Sequence, residues 1–217
     1  MVRIIVAVVV ALLVVAGGTA YASQASLPGD ALYPIKIGTE QAGMMLPGDD
    51  VGRAERGLGF ADRRIVEIEA LAEQGRSEYL GLAGEKYEQA LNMTLARIEE
   101  ATNKGLAAGN ATGNVTARVA EATLKHMEVL ADVHDKVPEQ AQEAIKRAMN
   151  VSVAGHEAAL QALERAGVDL SQLPGIPDEV WSRLEDILGD AMPPRPGVPD
   201  GVPPSGPPAG VPPADQP

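Results

Sequence analysis

The sequence predicts an all-α protein, an antiparallel bundle of about four long helices with short helices at each end. Between residues 51 and 72, apolar residues recur at spacings of three and four, which is the period of an amphipathic helix. The hydrophobic content is 45% but the aromatic content only 3%, so the core consists of Ala, Leu, Val, Ile and Met, which suits packed helices better than strands. Pro-Gly-Asp occurs twice, at 28–30 and 47–49, and marks turns between helices.

The first 22 residues have the features of an export signal. Ile4 to Ala16 is a run of thirteen apolar residues, and Ala20-Tyr21-Ala22 follows it. An apolar core that ends in A-x-A predicts cleavage between Ala22 and Ser23. The alternative is an uncleaved anchor, because Ile4 to Ala22 is nineteen residues and could just span a bilayer. In both cases the following domain is exported, to the medium or the cell surface, and membrane contact is confined to this segment.

A helical domain is predicted over residues 23–190, and the stretch LPGDALYPIK at 27–36 opens it. Pro28 and Gly29 suit a tight turn, and Asp30 is the predicted N-cap of a short helix that runs to about Leu46. Pro47-Gly48-Asp49-Asp50 forms the second turn, where we expect Asp49 and Asp50 to cap the next helix rather than to bind calcium.

Four long helices are predicted at about 50–75, 77–104, 116–137 and 138–167, with a glycine-rich exposed loop at 103–114. The seam of the first long helix is predicted to contain Val51, Ala54, Leu58, Ala61, Ile65, Ile68 and Ala72. Glycines at 52, 57 and 59 interrupt this helix, and they either allow a neighbouring helix to approach closely or weaken the helix locally. Glu67 and Glu69 fall outside the seam and are predicted to be solvated.

The C-terminal part of the sequence changes character twice. A short helix is predicted from Asp178 to Leu188, with Trp181, Leu184 and Leu188 packed on the bundle. From Pro193 onward, eleven of the seventeen prolines fall in 25 residues. Proline at this density cannot sustain a helix or a sheet, so residues 191–217 are predicted to be an extended, disordered spacer.

Two blocks of the sequence resemble a known family. LPGDALYPIK, together with Glu40, Arg53-Ala54 and Ala61-Asp62-Arg63-Arg64, resembles the prokaryotic domain-of-unknown-function family 5667. A second block, 137–163, resembles the C-terminal helix of the same family, so the resemblance extends over residues 27 to about 166. It implies an exported, mostly helical domain, sometimes found in proteins related to anti-sigma factors. It implies no activity and no binding residues.

Charge and cysteine content exclude several classes of function. The chain has 18 basic and 30 acidic residues, a net charge of −12, so it is expected to be repelled by nucleic acids and by anionic lipid surfaces. It contains no cysteine, and therefore no disulfide, no thiolate nucleophile and no cysteine metal ligand.

No set of residues in the sequence predicts a catalytic, cofactor-binding or metal site. The three histidines, His126, His134 and His156, lack metal-ligand spacing, so we expect them to be packed or solvated. His134-Asp135 could act as a base only beside a nucleophile, and no serine has a suitable context. The sequence therefore predicts a protein that is not an enzyme and needs no cofactor.

N-glycosylation sequons are strongly enriched. Four of the five asparagines begin N-x-[ST], namely Asn92, Asn110, Asn114 and Asn150, although Ser and Thr are only 14 of 217 residues. In an exported protein this enrichment predicts N-glycosylation. Asn110 and Asn114 are the favoured acceptors because they fall in the predicted loop, whereas Asn92 and Asn150 fall within predicted helices.

These observations predict a non-catalytic, glycosylated helical domain at the cell surface. It would be a structural or protein-interaction module, with an envelope protein or a second copy of itself as partner. The alternative is an extracytoplasmic sensory or regulatory module of an envelope-signalling system, which the family resemblance to anti-sigma-related proteins suggests.

Overall fold

The computed structural model describes residues 23–104, 110–170, 173 and 175–192, and these residues contain helices and no strand. The helices are α1 (Tyr33–Met45), α2 (Asp50–Glu73), α3 (Leu80–Asn103), α4 (Asn110–His134), α5 (Glu139–Arg165) and α6 (Asp178–Leu188), with 3-10 turns at Ser77–Tyr79 and Gly189–Ala191. The predicted all-α fold with four long helices, α2 to α5, is confirmed. The predicted export signal, 1–22, and nearly all of the predicted tail lie outside the described residues. None of the helices in the described ranges is both long and apolar enough to cross a bilayer.

The four long helices form two antiparallel hairpins, α2 with α3 and α4 with α5, which pack on each other. Glu55 contacts Arg118, and about two turns further along both helices Asp62 contacts His126, so α2 and α4 run parallel. Tyr87 of α3 likewise lies beside Ser152 of α5. The bundle is therefore antiparallel within each hairpin and parallel between hairpins.

The turn that precedes α1 packs on the connection between α2 and α3. Gly29 has φ +91°, and a Cβ there would lie 2.3 Å from a carbon of the Tyr79 ring, so only glycine fits. Arg76 Nη2 donates to the carbonyl of Pro28 at 2.6 Å and pairs with Asp30 Oδ1 at 2.9 Å. The turn is thus held to the bundle by steric fit and by a guanidinium.

Asp30 does not cap α1, contrary to the prediction. Its Oδ2 accepts the N–H of Leu27 at 2.7 Å, and the helix begins three residues later at Tyr33. The carboxylate stabilises the preceding turn because Arg76 holds it there. The second predicted cap is confirmed, since Asp49 Oδ1 accepts the N–H of Gly52 at 2.8 Å at the start of α2.

The core follows the predicted apolar seams. In α2, the five central seam residues are buried, and Val51 and Ala72 pack against them at its edge. The other long helices contribute mainly Leu, Ile, Val, Met and Ala, including Leu80, Leu91, Ile98, Val119, Leu130, Ile145, Met149 and Leu163. The short helix α6 covers one end with Trp181, Leu184 and Leu188, as predicted.

The prediction of a loop at 103–114 is wrong for its last five residues, because α4 begins at Asn110, and residues 105–109 lie outside the described residues. Gly113 therefore lies inside a helix, which costs up to about 1 kcal/mol relative to alanine. Burial of Thr112, Val115 and Thr116 against the bundle offsets this cost. Local glycine content indicated a loop, but tertiary packing determines the structure here.

The glycines of α2 have opposite roles, which leads to a prediction. A Cβ at Gly57 would lie 2.4 Å from Thr94 Oγ1 of α3, whereas a Cβ at Gly59 has nothing within 4 Å. We expect Gly57→Ala to destabilise the protein by about 1–3 kcal/mol, because α2 and α3 must move apart. We expect Gly59→Ala to stabilise it by about 1 kcal/mol, because alanine is the better helix former.

Urea denaturation of the two single variants measures both effects in the same helix. Equal effects of the same sign in the two variants would show that helix propensity alone, and not close packing, governs these positions.

Candidate functional site

Four charged side chains from α1 and α2 form a buried group, which we call the ion cluster: Lys36, Glu40, Arg64 and Glu67. Lys36 Nζ lies 2.5 Å from Glu67 Oε1 in a geometry that does not suit a hydrogen bond, so the contact is a salt bridge. The Arg64 guanidinium bridges the carboxylates of Glu67 and Glu40. Glu40 also pairs with the partly exposed Arg63 at 3.0 Å, so three cations and two anions meet between the two helices.

The ion cluster also holds the segment that precedes α1. Lys36 Nζ donates to the carbonyl of Ser26 at 3.0 Å, and Arg64 Nη1 donates to Tyr33 Oη at 3.0 Å. Burial, followed by the nearby Glu67 carboxylate, raises the pKa of Tyr33 to about 12, so the phenol stays protonated. The cluster is thus a second connection, besides Arg76, between residues 26–36 and the four-helix bundle.

The prediction that Glu67 is solvated is wrong, since its side chain is 3% exposed. Glu67 lies two residues beyond Ile65, on the opposite side of α2. That side is covered by α1, and the residue pattern of α2 alone cannot show that a second helix packs there. A signal does exist in α1, where Lys36 and Glu40 are the only charges between Asp30 and Asp49 and are four residues apart.

A second buried group crosses the bundle from α5 to α2, and we call it the hydroxyl–imidazole chain. Ser152 Oγ lies 2.6 Å from Tyr87 Oη, which lies 3.1 Å from His126 Nδ1. His126 Nε2 lies 3.0 Å from Asp62 Oδ1 at the bundle surface. Ser152 Oγ also lies 3.0 Å from the carbonyl oxygen of Ala148.

The hydrogen bonds of the hydroxyl–imidazole chain can all be made with His126 either neutral or charged. When His126 is neutral, Ser152 donates to Tyr87, Tyr87 donates to Nδ1, and Nε2–H donates to Asp62. When His126 is charged, Nδ1–H donates to Tyr87, Tyr87 donates to Ser152, and Ser152 donates to Ala148. Protonation therefore reverses the hydroxyl hydrogens and leaves no group of the chain unpaired.

A serine, an imidazole and a carboxylate also occur in nucleophilic catalysis, but here the geometry opposes it. Tyr87 and Ser152 are each 0% exposed, so no substrate can reach either hydroxyl. Burial raises the pKa of the Tyr87 phenol, which keeps it protonated. The hydroxyl–imidazole chain therefore contributes to the packing of the four helices. The described residues contain no group of three His, Asp or Glu side chains that could hold a metal ion.

His156 is the other buried histidine, and it has a single strong hydrogen bond. Its Nδ1 donates to the carbonyl of Ala120 at 2.9 Å, while its buried Nε2 has no partner within the described part of the chain. Burial lowers the pKa of His156 below its ordinary value of 6.5. The imidazole is therefore neutral in the folded protein.

This neutral histidine predicts a loss of stability in mild acid. In the unfolded chain His156 takes up a proton near pH 6.5, but in the folded protein it does so only at lower pH. Its contribution to stability is complete above pH 6.5 and is lost as the pH falls from 6.5 to the lower, folded pKa. Urea denaturation between about pH 7 and pH 5, above the ordinary carboxyl range, measures this loss. Burial raises the pKa of the adjacent Glu157, so a variant of His156 is needed to isolate the imidazole.

His156→Gln is expected to flatten this pH dependence, because glutamine does not titrate. His134→Gln is the matched control, since His134 lies at the end of α4 and pairs with the exposed Asp135. Identical pH dependence in the wild type and the His156 variant would contradict the assignment.

An open groove of about 330 Å³ lies where α1, α2 and α3 meet. Its apolar lining includes Met44, Phe60 and Met93, and its polar lining includes Lys86 and the Glu40–Arg64 pair. Met45 is 85% exposed at its edge, and the adjacent Leu46 is 58% exposed. Thioethers on an open apolar groove are typical of surfaces that contact other proteins.

The sequons occupy different environments. Asn92 and Asn114 are exposed on α3 and α4, and Asn110 is the first residue of α4. Asn150 is half-buried, and its Oδ1 is buried without a hydrogen-bond partner in the described part of the chain. Ser23 is buried, whereas Ala22 lies outside the described residues. The structure does not bring these asparagines together into one site.

Comparison with known proteins gives one match. The model of a family described as "Domain of unknown function (DUF5667)" matches residues 25–140, more than half of the chain. This range contains α1 to α4, the ion cluster and three of the four residues of the hydroxyl–imidazole chain. No curated protein and no solved structure shows significant similarity to the chain.

Proposed function

The chain belongs to the DUF5667 family, a domain of unknown function, and from this premise we propose that it is an exported, non-catalytic module that binds another protein at the cell surface. The observation that carries this proposal is a contrast between interior and surface. The polar groups suited to chemistry are buried in the ion cluster and the hydroxyl–imidazole chain. The surface instead offers an apolar groove beside the exposed Met45 and Leu46.

Export is supported by the apolar segment at 4–16 and by the four sequons. Exposed Asn92 and Asn114 are available to a glycosyl transferase, whereas Asn150 is half-buried. We therefore expect glycans at Asn92 and Asn114 and none at Asn150.

A sensory module is the second candidate function, and His156 is the feature that favours it. A buried neutral imidazole makes the fold sensitive to mild acid, and an exported module could use that sensitivity to report acidification. A pH-dependent change of partner binding, absent in His156→Gln, would favour this candidate over the structural one.

Protease treatment of intact cells, followed by mass spectrometry of the protein from its native source, tests the proposal. We expect the protein to be degraded in intact cells, while a cytoplasmic marker survives. The mature protein should begin at Ser23 and carry added mass on peptides that contain Asn92 and Asn114, with Asn92→Gln and Asn114→Gln as controls.

Three other results would each contradict one part of this expectation. Protection of the protein in intact cells would refute export. An N-terminus at Met1 or Val2 in the membrane fraction would instead identify residues 1–22 as an anchor. Bare asparagines at both positions would refute glycosylation without affecting the interaction proposal.

A further inference from the structure

Lys36 and Glu67 hold an amine against a carboxyl group inside the protein. Their side chains are 4% and 3% exposed, and Lys36 Nζ lies 2.5 Å from Glu67 Oε1. Since a carbon–oxygen bond is about 1.2 Å long, Nζ lies at most about 3.7 Å from Cδ of Glu67. Despite the close contact, Oε1 accepts no hydrogen bond from any residue in the described part of the chain. The nitrogen is therefore beside the carboxyl carbon, in a place that solvent hardly reaches.

The second carboxyl oxygen of Glu67, Oε2, is held by two donors. Arg64 Nη1 donates to Oε2, and Tyr33 Oη donates to it at 3.4 Å. Burial raises the pKa of the Tyr33 phenol to about 12, so this hydroxyl keeps its hydrogen. Donors that are fixed around a carboxyl oxygen stabilise the negative charge that develops there when a nucleophile attacks the carbon. The surroundings of Glu67 therefore suit attack by the neighbouring amine.

We propose that Lys36 and Glu67 condense to an amide, which joins α1 covalently to α2. The lone pair of Nζ forms the bond to Cδ, and the bond from Cδ to Oε1 breaks with its electron pair on the oxygen. The Lys36 ammonium gives two of its three protons to Oε1, which leaves as water. The two side chains supply every atom of the products, and no oxidant or other reactant is needed. A fold that holds two groups in contact greatly accelerates their reaction.

The product amide makes use of contacts that are already present. Its carbonyl oxygen is Oε2, to which Arg64 and Tyr33 donate. Its N–H keeps the contact of Lys36 Nζ with the carbonyl of Ser26, which is 3.0 Å long. The oxygen that leaves is Oε1, which accepts no hydrogen bond within the described ranges. Condensation removes one positive and one negative charge, and the remaining Glu40 carboxylate stays paired with the arginines of α2.

Lys104 shows which salt bridges are not expected to react. Its Nζ donates to Asp50 Oδ2 at 2.7 Å and to Glu100 Oε1 at 2.9 Å, but its side chain is 53% exposed. Water solvates this ammonium and favours its charged form. We therefore expect Lys104 to remain in a salt bridge, and it serves as the comparison for Lys36.

Peptide mapping of the folded wild-type protein by mass spectrometry tests the inference. Trypsin does not cleave after a lysine whose side chain has become an amide, so Lys36 should lie inside a peptide that ends at Arg53. This peptide should be joined to peptide 65–76, which contains Glu67. The mass of the joined pair should be about 18 Da below the sum of the two peptides, because one water is lost. Its fraction should rise as the folded protein is incubated.

Lys36→Arg should abolish the joined peptide, because a guanidinium keeps the positive charge and does not lose it to become a nucleophile. Lys104→Arg is the matched control and should leave the joined peptide unchanged. Separate peptides of full mass, with cleavage after Lys36 even after long incubation of the wild type, would overturn the inference. So would a loss of water that maps to other residues, or one that persists in Lys36→Arg.

The wild-type peptide map decides the question even if Lys36→Arg does not fold. It is also independent of the proposed function, because a joined peptide can be detected whether or not the protein is exported.

Discussion

Replacing Glu67 by alanine is expected to lower the free energy of unfolding by about 3–5 kcal/mol, the range found when one partner of a buried ion pair is removed. In the wild type, Glu67 neutralises both Lys36 and Arg64 inside the protein. Without it, Lys36 loses its carboxylate partner and Glu40, which already pairs with Arg63 and Arg64, is the one carboxylate that remains in the ion cluster. Water must then enter between α1 and α2, or the helices must separate.

Glu69→Ala is the matched control, because Glu69 lies two residues further along α2 and is only half-buried. Its loss is expected to change stability by less than about 0.5 kcal/mol. Urea denaturation followed by circular dichroism measures both variants, and hydrogen exchange should show faster exchange in α1 of Glu67→Ala. Equal stability of the two alanine variants would refute the energetic role of the cluster.

Ile65→Asp is expected to be more disruptive still, with a loss of about 4 kcal/mol or more. Ile65 is buried in the seam of α2, where the neighbouring core side chains are apolar. An aspartate there must either remain charged without a partner or take up a proton. Either outcome removes a large part of the roughly 5–15 kcal/mol by which single domains are stable.

Val66→Asp isolates the effect of burial, because Val66 is the adjacent residue and is mostly exposed. The two variants differ by one position in the chain and have the same change in charge and helix propensity. Thermal denaturation should show a transition near that of the wild type for Val66→Asp, and a strongly lowered or absent one for Ile65→Asp. Similar transitions in the two variants would contradict the assigned orientation of α2.

The orientation of α2 could be predicted from its sequence because burial on one side of a helix leaves a periodic pattern. The spacing from Ala54 to Ile68 identified the inward face, and the structure confirms it. Turn and capping residues predict structure equally well where their hydrogen bonds are local, as at Asp49, which caps α2 as predicted. The prediction of a loop from Gly113 is wrong, because contacts with distant helices outweigh the cost of about 1 kcal/mol of a glycine inside a helix.

The ion cluster could not be predicted, because its members are separated in the chain and read as surface residues. Glu67 and Glu69 look equivalent by composition, and only the placement of α1 over one side of α2 separates them. The hydroxyl–imidazole chain was missed for the same reason, since its four residues come from four different helices. Periodicity reports the burial of apolar residues, but it does not report which polar residues meet.

The connection between residues 26–36 and the bundle has a mechanical consequence. A pull on the chain ahead of Ser23 reaches the protein through the Lys36–Ser26 contact and the grip of Arg76 on the Pro28 carbonyl. Lys36 passes the load to Glu67 on α2, and Arg76 receives it nine residues further along the chain, so the load is shared between α2 and the turn that follows it. A pull on the N-terminal side of the domain would therefore act on two separate contacts with the bundle and not on one.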